Sequence, residues 1–146
     1  MKFTFVTLFP NLIEPYFHDS ILKRAIESNF ISYEFYNPRD FTTNKHKKVD
    51  DQMVGGGAGM LLLCQPLFDC LNEIKSKDSD AYIIFPLAAA KPFRQNDAKR
   101  LAKKKNIVFI SGRYEGIDER VIEKYANEVF SIGEFVLTGG ELPSLV

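Results

Sequence analysis

No stretch of this sequence approaches the roughly 20 consecutive apolar residues that a membrane-spanning helix needs. The start, Met1-Lys2-Phe3, alternates like a strand and has no apolar core followed by a small-residue cleavage site, which excludes a secretory leader. Net charge is also absent: 19 Lys and Arg balance 19 Asp and Glu. The whole-molecule attraction that marks many nucleic-acid binders is therefore missing, and any RNA contact must come from local patches. Cysteine is scarce. Cys64 and Cys70 lie six apart with no histidine nearby, which is neither a zinc spacing nor a disulfide framework, and both are expected to be buried free thiols in a reducing cytoplasm. Internal repeats and low-complexity tracts are lacking as well. What the chain does have is apolar side chain: 146 residues, 45% hydrophobic and 13% aromatic, suit one compact domain with a substantial core.

The periodicity predicts strands alternating with helices. Residues 2–8 alternate β-formers ahead of Pro10 and read as a strand. Asp19 or Ser20 caps a helix with Ile21, Leu22, Ala25 and Ile26 at helical spacing, and residues 31–36 make a second strand. Pro66 stands near the start of a helix with Leu67, Phe68, Leu71 and Ile74 on one face, followed by a buried strand over 81–87. Asn96 or Asp97 opens a lysine-ended helix before the apolar run 107–110. Asp118 caps a helix carrying Val121, Ile122 and Tyr125, and a short strand follows around 128–131. This order predicts an α/β fold, a mostly parallel sheet flanked by helices. The one long segment without periodicity, about Asn37 to Met60, reads as a loop of a length that usually carries function. Residues 139–144 look like a loop entering a helix, so the chain is expected to be a piece of a longer protein.

Three glycine-rich clusters stand out: Gly55 to Gly59, Gly112 to Gly116 and Gly133 to Gly140. Glycine lets backbone approach a ligand closely, and the last two clusters follow apolar strands, where ligands sit in α/β sheets. The run GGGAGMLL lacks the Lys-Ser/Thr of a P-loop and the spacing of a dinucleotide fingerprint, so ATP and NAD are poor candidates. A ligand without phosphate, held by backbone groups at strand ends, fits better.

The polar residues concentrate in two places. In Ser111 to Arg120, Asp118 and Glu119 suit a helix N-terminus electrostatically. Glu115 lies in the turn itself, between Tyr114 and Gly116, and is the better candidate for a functional carboxylate. In the long loop, Lys45, His46, Lys47 and Lys48 can grip phosphates while the neighbouring aspartates orient a base or an arginine, although charge runs commonly do no more than solvate a surface. The lysines of 91–105 read as the solvated face and cationic last turn of a helix, and His18 as structural.

Four segments, RDFTTNKHKKVDD (39–51), GGGAGM (55–60), GRYEGIDERV (112–121) and SIGEFVLTGGELP (131–143), occur in the order and at the separations of one family. On them the chain resembles the bacterial tRNA (guanine-N1) methyltransferases of the SPOUT class over nearly its whole length. The resemblance implies a deep C-terminal trefoil knot, S-adenosyl-L-methionine as cofactor, tRNA as substrate, a homodimer and a cytoplasmic location. Cofactor contacts are then expected at Leu87, Ala88, Gly112, Tyr114, Ile132, Gly133, Phe135, Val136, Leu137, Gly139 and Gly140. Glu115 is the catalytic-region carboxylate that carries over, helping to hold the target guanine or a metal. No metal ligand is assigned in this chain, and magnesium belongs to the full-length enzyme. The family's general base and its tRNA-binding domain fall beyond residue 146, so residues 1–146 are expected to form the cofactor-binding domain, to dimerise, and not to methylate alone.

The sequence departs from the family's pattern where Leu87, Ala88, Ala89 and Ala90 stand in place of Ser-Pro-Gln-Gly; polar side-chain contacts are lost there while backbone hydrogen bonds can persist. Ser111 replaces a common cysteine, and Met53 and Val54 precede the glycine run. Two rival readings are another SPOUT RNA methyltransferase, against which GRYEGIDER argues, and a non-catalytic nucleotide-binding or dimerisation module.

Overall fold

The segment KFTFV places Phe3 and Phe5 on one face of a strand and Thr4 and Val6 on the other, and this division organises the molecule. The computed structural model describes residues 1–52 and 59–146. Its strands are β1 (Lys2–Val6), β2 (Ser32–Tyr36), β3 (Asp50–Gln52), β4 (Met60–Leu62), β5 (Tyr82–Pro86), β6 (Asn106–Ile110) and β7 (Glu128–Phe130). Its helices are α1 (Ser20–Glu27), α2 (Cys64–Lys77), α3 (Gln95–Leu101), α4 (Glu119–Tyr125) and α5 (Glu141–Leu145). Five strands form a sheet in the order β2-β1-β6-β5-β7, and every neighbouring pair in it is parallel. The predicted α/β architecture is the observed one. No described helix is long and apolar enough to cross a membrane.

Val6, Ile83, Phe85, Val108 and Ile110 point to one face, where they pack with Leu67, Leu71 and Ile74 of α2 and Val121 and Ile122 of α4. The opposite face is aromatic. Phe5 stacks with Phe109, 5.7 Å between centroids, and contacts Phe17 and Phe35. Leu22 and Ile26 of α1 close one end of that face, and Leu101 of α3 packs with Ile84, Ile107 and Phe130 at the other. Helices thus cover both faces, as a parallel sheet requires.

The structure corrects four local expectations. Ile21 does not share the apolar face of α1: it is 67% exposed, one 100° step away from Leu22. Helix α3 opens at Arg94, not at Asn96 or Asp97; the Asp97 carboxylate reaches back to accept the Arg94 backbone N–H at 3.1 Å. The long segment from Asn37 is not plain loop, because a 3-10 turn over Pro38–Phe41 and the antiparallel pair β3–β4, with Asp50 opposite Leu62, structure it. Cys70 is buried but Cys64, at the start of α2, is only half-buried. Of the first glycine cluster, Gly55, Gly56, Gly57 and Ala58 lie outside the described residues, as do Met53 and Val54.

Candidate functional site

All five sheet strands run the same way, so the segments that follow β5, β6 and β7, which are neighbours in the sheet, emerge on one edge. Residues 86–88, 112–117 and 130–140 meet there around a cleft of about 190 Å³. Of the residues singled out from sequence, Leu87, Ala88, Gly112, Tyr114, Glu115, Ile132, Phe135, Val136, Leu137, Gly139 and Gly140 line it. Gly133 does not. Its N–H donates to the Ser131 hydroxyl oxygen at 3.1 Å and its carbonyl accepts from the same hydroxyl at 2.7 Å, close against the Phe135 ring. Sequence reasoning missed Arg113, Ile117, Pro86, Phe130, Ser131 and Pro143, which also line the cleft.

The first loop keeps its backbone order without the polar side chains. The Leu87 N–H donates to the Phe130 carbonyl at 2.8 Å, and that of Ala90 to Leu87 at 3.1 Å. The second loop turns through Tyr114, whose φ of +60° is a left-handed conformation that a bulky residue seldom adopts. Burial raises the Tyr114 phenol above its ordinary pKa, a hydrogen bond to Asp50 raises it further, and Arg39 acts in the opposite sense. The segment 39–51 is thereby brought against the GRYEG turn. Glu115 donates its N–H to the Met60 carbonyl at 3.0 Å, and Leu62 donates to Gly116 at 3.2 Å, so the β3–β4 hairpin is stitched to the same turn. Gly59, at φ +116°, has no room for a side chain because the Glu115 side chain lies against it. Three motifs far apart in sequence therefore converge at Glu115, which is exposed at the rim of the cleft.

Lys45, His46, Lys47 and Lys48 are all exposed; Lys47 faces Asp40 at 3.5 Å and Lys48 faces Asp51 at 3.0 Å. Asp118 is a cap: its carboxylate accepts the Arg120 N–H at 3.0 Å, and the Arg120 guanidinium, 2.6 Å away, holds it below the usual carboxylate range. His18 hydrogen-bonds the Tyr33 hydroxyl at 3.2 Å on the far side of the molecule.

The third loop approaches the second without slack. The Gly140 N–H donates to the Gly112 carbonyl at 2.8 Å, and a Cβ on Gly140 would stand 2.7 Å from the Ser111 Cα. Among the described residues Arg113 is the one cationic side chain in the lining, and it is already engaged, 2.9 Å from the buried Glu141. Ile132, Phe135, Val136 and Leu137 supply an apolar wall. The cleft therefore offers backbone polar groups and apolar surface with no free positive charge for a phosphate. Among the described residues no three His, Cys, Asp or Glu side chains converge to hold a metal ion.

Comparison with known proteins bears on the family and the fold. The family model described as tRNA (Guanine-1)-methyltransferase TrmD matches residues 1–146. A tRNA (guanine-N(1)-)-methyltransferase of Sulfurimonas denitrificans is 66% identical over the whole chain, which covers 63% of that protein. One of Campylobacter jejuni subsp. jejuni is 60% identical over the whole chain and 62% of its own length. The crystal structure of a tRNA (m1G37) methyltransferase from Aquifex aeolicus superposes with a TM-score of 0.89 at 31% identity, over 99% of this chain and 65% of that one. The chain thus spans less than two thirds of the length of these relatives. It belongs to the tRNA (guanine-1)-methyltransferase TrmD family.

Proposed function

We propose that the cleft holds S-adenosyl-L-methionine and serves methyl transfer to N1 of the guanine on the 3′ side of the tRNA anticodon. One observation carries the cofactor: a cleft of strand-end backbone and apolar side chains, in which Arg113, the one cation among the described lining residues, is neutralised by Glu141, suits a ligand without phosphate. N1 of a tRNA guanine is what the relatives' names state, and its place beside the anticodon is part of the proposal. Leu87, Ala88, Gly112, Tyr114, Ile132, Phe135, Val136, Leu137, Gly139 and Gly140 would hold the cofactor, which supplies an already activated methyl group. Gly133, outside the lining, leaves the space that the Phe135 ring occupies.

N1 of guanine carries a proton near neutral pH, so the reaction needs alignment of two reactants, stabilisation of negative charge developing at O6, and removal of one proton. Glu115, at the rim and braced by Gly59 and Met60, holds the incoming guanine. The exposed Lys45 to Lys48 run touches the RNA backbone. Among the described residues no cluster of three metal-ligating side chains forms, and no step is assigned to magnesium.

Two further features belong to the same reading. The chain after β7 threads a trefoil knot, supported by the tight passage of Gly140 past Ser111 and Gly112. A homodimer forms in the cytoplasm, supported by Val136, 85% exposed beside the cleft, and Leu142.

Calorimetric titration tests the cofactor. S-adenosylmethionine and S-adenosylhomocysteine bind saturably and ATP does not; equal binding of ATP, or no binding of the first two, refutes it. Placed in the full-length protein, Glu115→Gln lowers guanine methylation in the presence of tRNA while leaving cofactor affinity within about twofold.

A further inference from the structure

We infer that Glu141 is a positioning residue of the cofactor cleft: its buried carboxylate fixes Arg113 in the orientation that latches the loop 132–140 onto the turn 112–117. The inference rests on the cleft being the cofactor site.

Glu141 opens α5 and is only 4% exposed. Its Oε1 accepts from the Thr7 hydroxyl at 2.8 Å, just beyond β1, and from Arg113 Nε at 3.1 Å. Oε2 lies 2.9 Å from Arg113 Nη2, but no donor meets it in line. The remaining arm of the guanidinium, Nη1, reaches the Thr138 carbonyl at 3.3 Å, and its face rests on the Phe9 ring at 4.5 Å. A planar fork gripped on two nitrogens has one orientation, and here it delivers the third nitrogen to the cofactor loop; a lysine cannot do this.

The packing leaves that geometry no alternative. A Cβ on Gly139 would stand 2.6 Å from both Arg113 Nε and Glu141 Oε2, so the glycine is what lets the loop pass over the pair. One residue later, the Ser144 hydroxyl donates to the Gly140 carbonyl at 2.7 Å and meets the Ser111 hydroxyl at 3.1 Å. Stability alone does not call for a carboxylate here. Burying two charges is costly, and well-packed apolar residues of similar volume commonly serve as well or better. What an apolar pair cannot do is hold the Thr138 carbonyl and thereby set the loop.

The test separates these two roles in the same chain. The double variant Glu141→Leu/Arg113→Met removes the latch while filling its space, and the near-isosteric Glu141→Gln removes only the charge. Amide hydrogen exchange is followed across the chain, and S-adenosylmethionine affinity is measured by calorimetry. In both variants the amides of 132–140, Gly140 included, are expected to exchange at least about tenfold faster, with β1 and β6 unchanged, and affinity to fall at least about tenfold. Parental exchange in 132–140 together with parental affinity overturns the inference, as does faster exchange spread evenly through the sheet. Should the double variant fail to fold, Glu141→Gln decides by the same local pattern. If the parent chain itself binds no S-adenosylmethionine, the cofactor reading fails, and the exchange pattern alone decides the latch.

Discussion

Replacing Gly140 with alanine isolates the cost of closing the cleft. Gly140 has φ −85° and ψ −2°, a conformation open to any residue, so backbone strain contributes nothing. Alanine also restricts the unfolded chain, which on its own would stabilise by about 0.4–1 kcal/mol. Against this, the new methyl would stand 2.7 Å from the Ser111 Cα and 2.8 Å from the Gly112 nitrogen. Both are main-chain atoms of the segment following β6, with no rotamer to yield. Overpacking of this kind costs about 1–3 kcal/mol, and forcing the Gly140–Gly112 hydrogen bond apart costs about 1 kcal/mol more. The net loss is about 2 kcal/mol, which for a chain of this size lowers the melting midpoint by roughly 6 °C. Gly133→Ala is the control. The atoms nearest its methyl belong to the Phe135 ring, which is 54% exposed and can rotate outward, so the midpoint stays within about 2 °C of the parent. Far-UV circular dichroism follows both melts, since the chain has no tryptophan. A Gly140→Ala chain that melts at or above the parent, or a Gly133→Ala chain that suffers more, refutes the reasoning.

At the sheet edge, burial alone would raise the Glu128 carboxyl, but hydrogen bonds from Arg100, Tyr82 and Lys91 outweigh it and hold the pKa at about 2. Because the folded value lies below the unfolded one, this stabilisation is present in full above the ordinary carboxylate range and is lost as pH falls toward about 2. Discounted for solvent screening, about 1–2 kcal/mol disappears over that window. Urea midpoints from pH 7 to pH 2 should show Glu128→Gln losing less stability than the parent, and parallel curves would count against the network. A thiol reagent at neutral pH should label Cys64 alone in the native chain, because burial pushes the Cys70 thiol up to about 12. Two fast-reacting thiols before unfolding would contradict the buried position of Cys70.

Period-2 strands and 3.6-residue helices were legible because each buries one face. The alternation at Phe3 and Phe5 and the spacing of Leu67, Leu71 and Ile74 survive in the core unchanged. Helix α1 was misread at Ile21 because its short apolar set allows more than one face, and nothing local says which one meets Phe5 and Phe17. The start of α3 was misplaced because Asp97 caps from inside the helix. More than half of the cleft residues could be named, through the family resemblance that the contiguous motifs carry; Arg113, Ile117, Phe130 and Ser131 were not among them. Arg113 and Glu141 could not be named, because their partnership spans 28 residues and depends on where α5 starts relative to the end of β1. The sole local hint was a carboxylate directly after Gly139 and Gly140, facing inward from a helix start where an acid is ordinarily left in solvent.

The cleft takes its walls from the tips of β6, β5 and β7, three strands adjacent in the sheet but separated in the chain by α3 and α4. A molecule bound there clamps the sheet from its open end, adding a removable tie to the Leu87–Phe130 and Gly140–Gly112 hydrogen bonds that already join these segments. Occupancy and folding then become one linked equilibrium. Ligand at a hundred times its dissociation constant adds about 2.7 kcal/mol to the stability of the domain, so supply of the ligand sets what share of the chains is protected from unfolding and proteolysis at any moment.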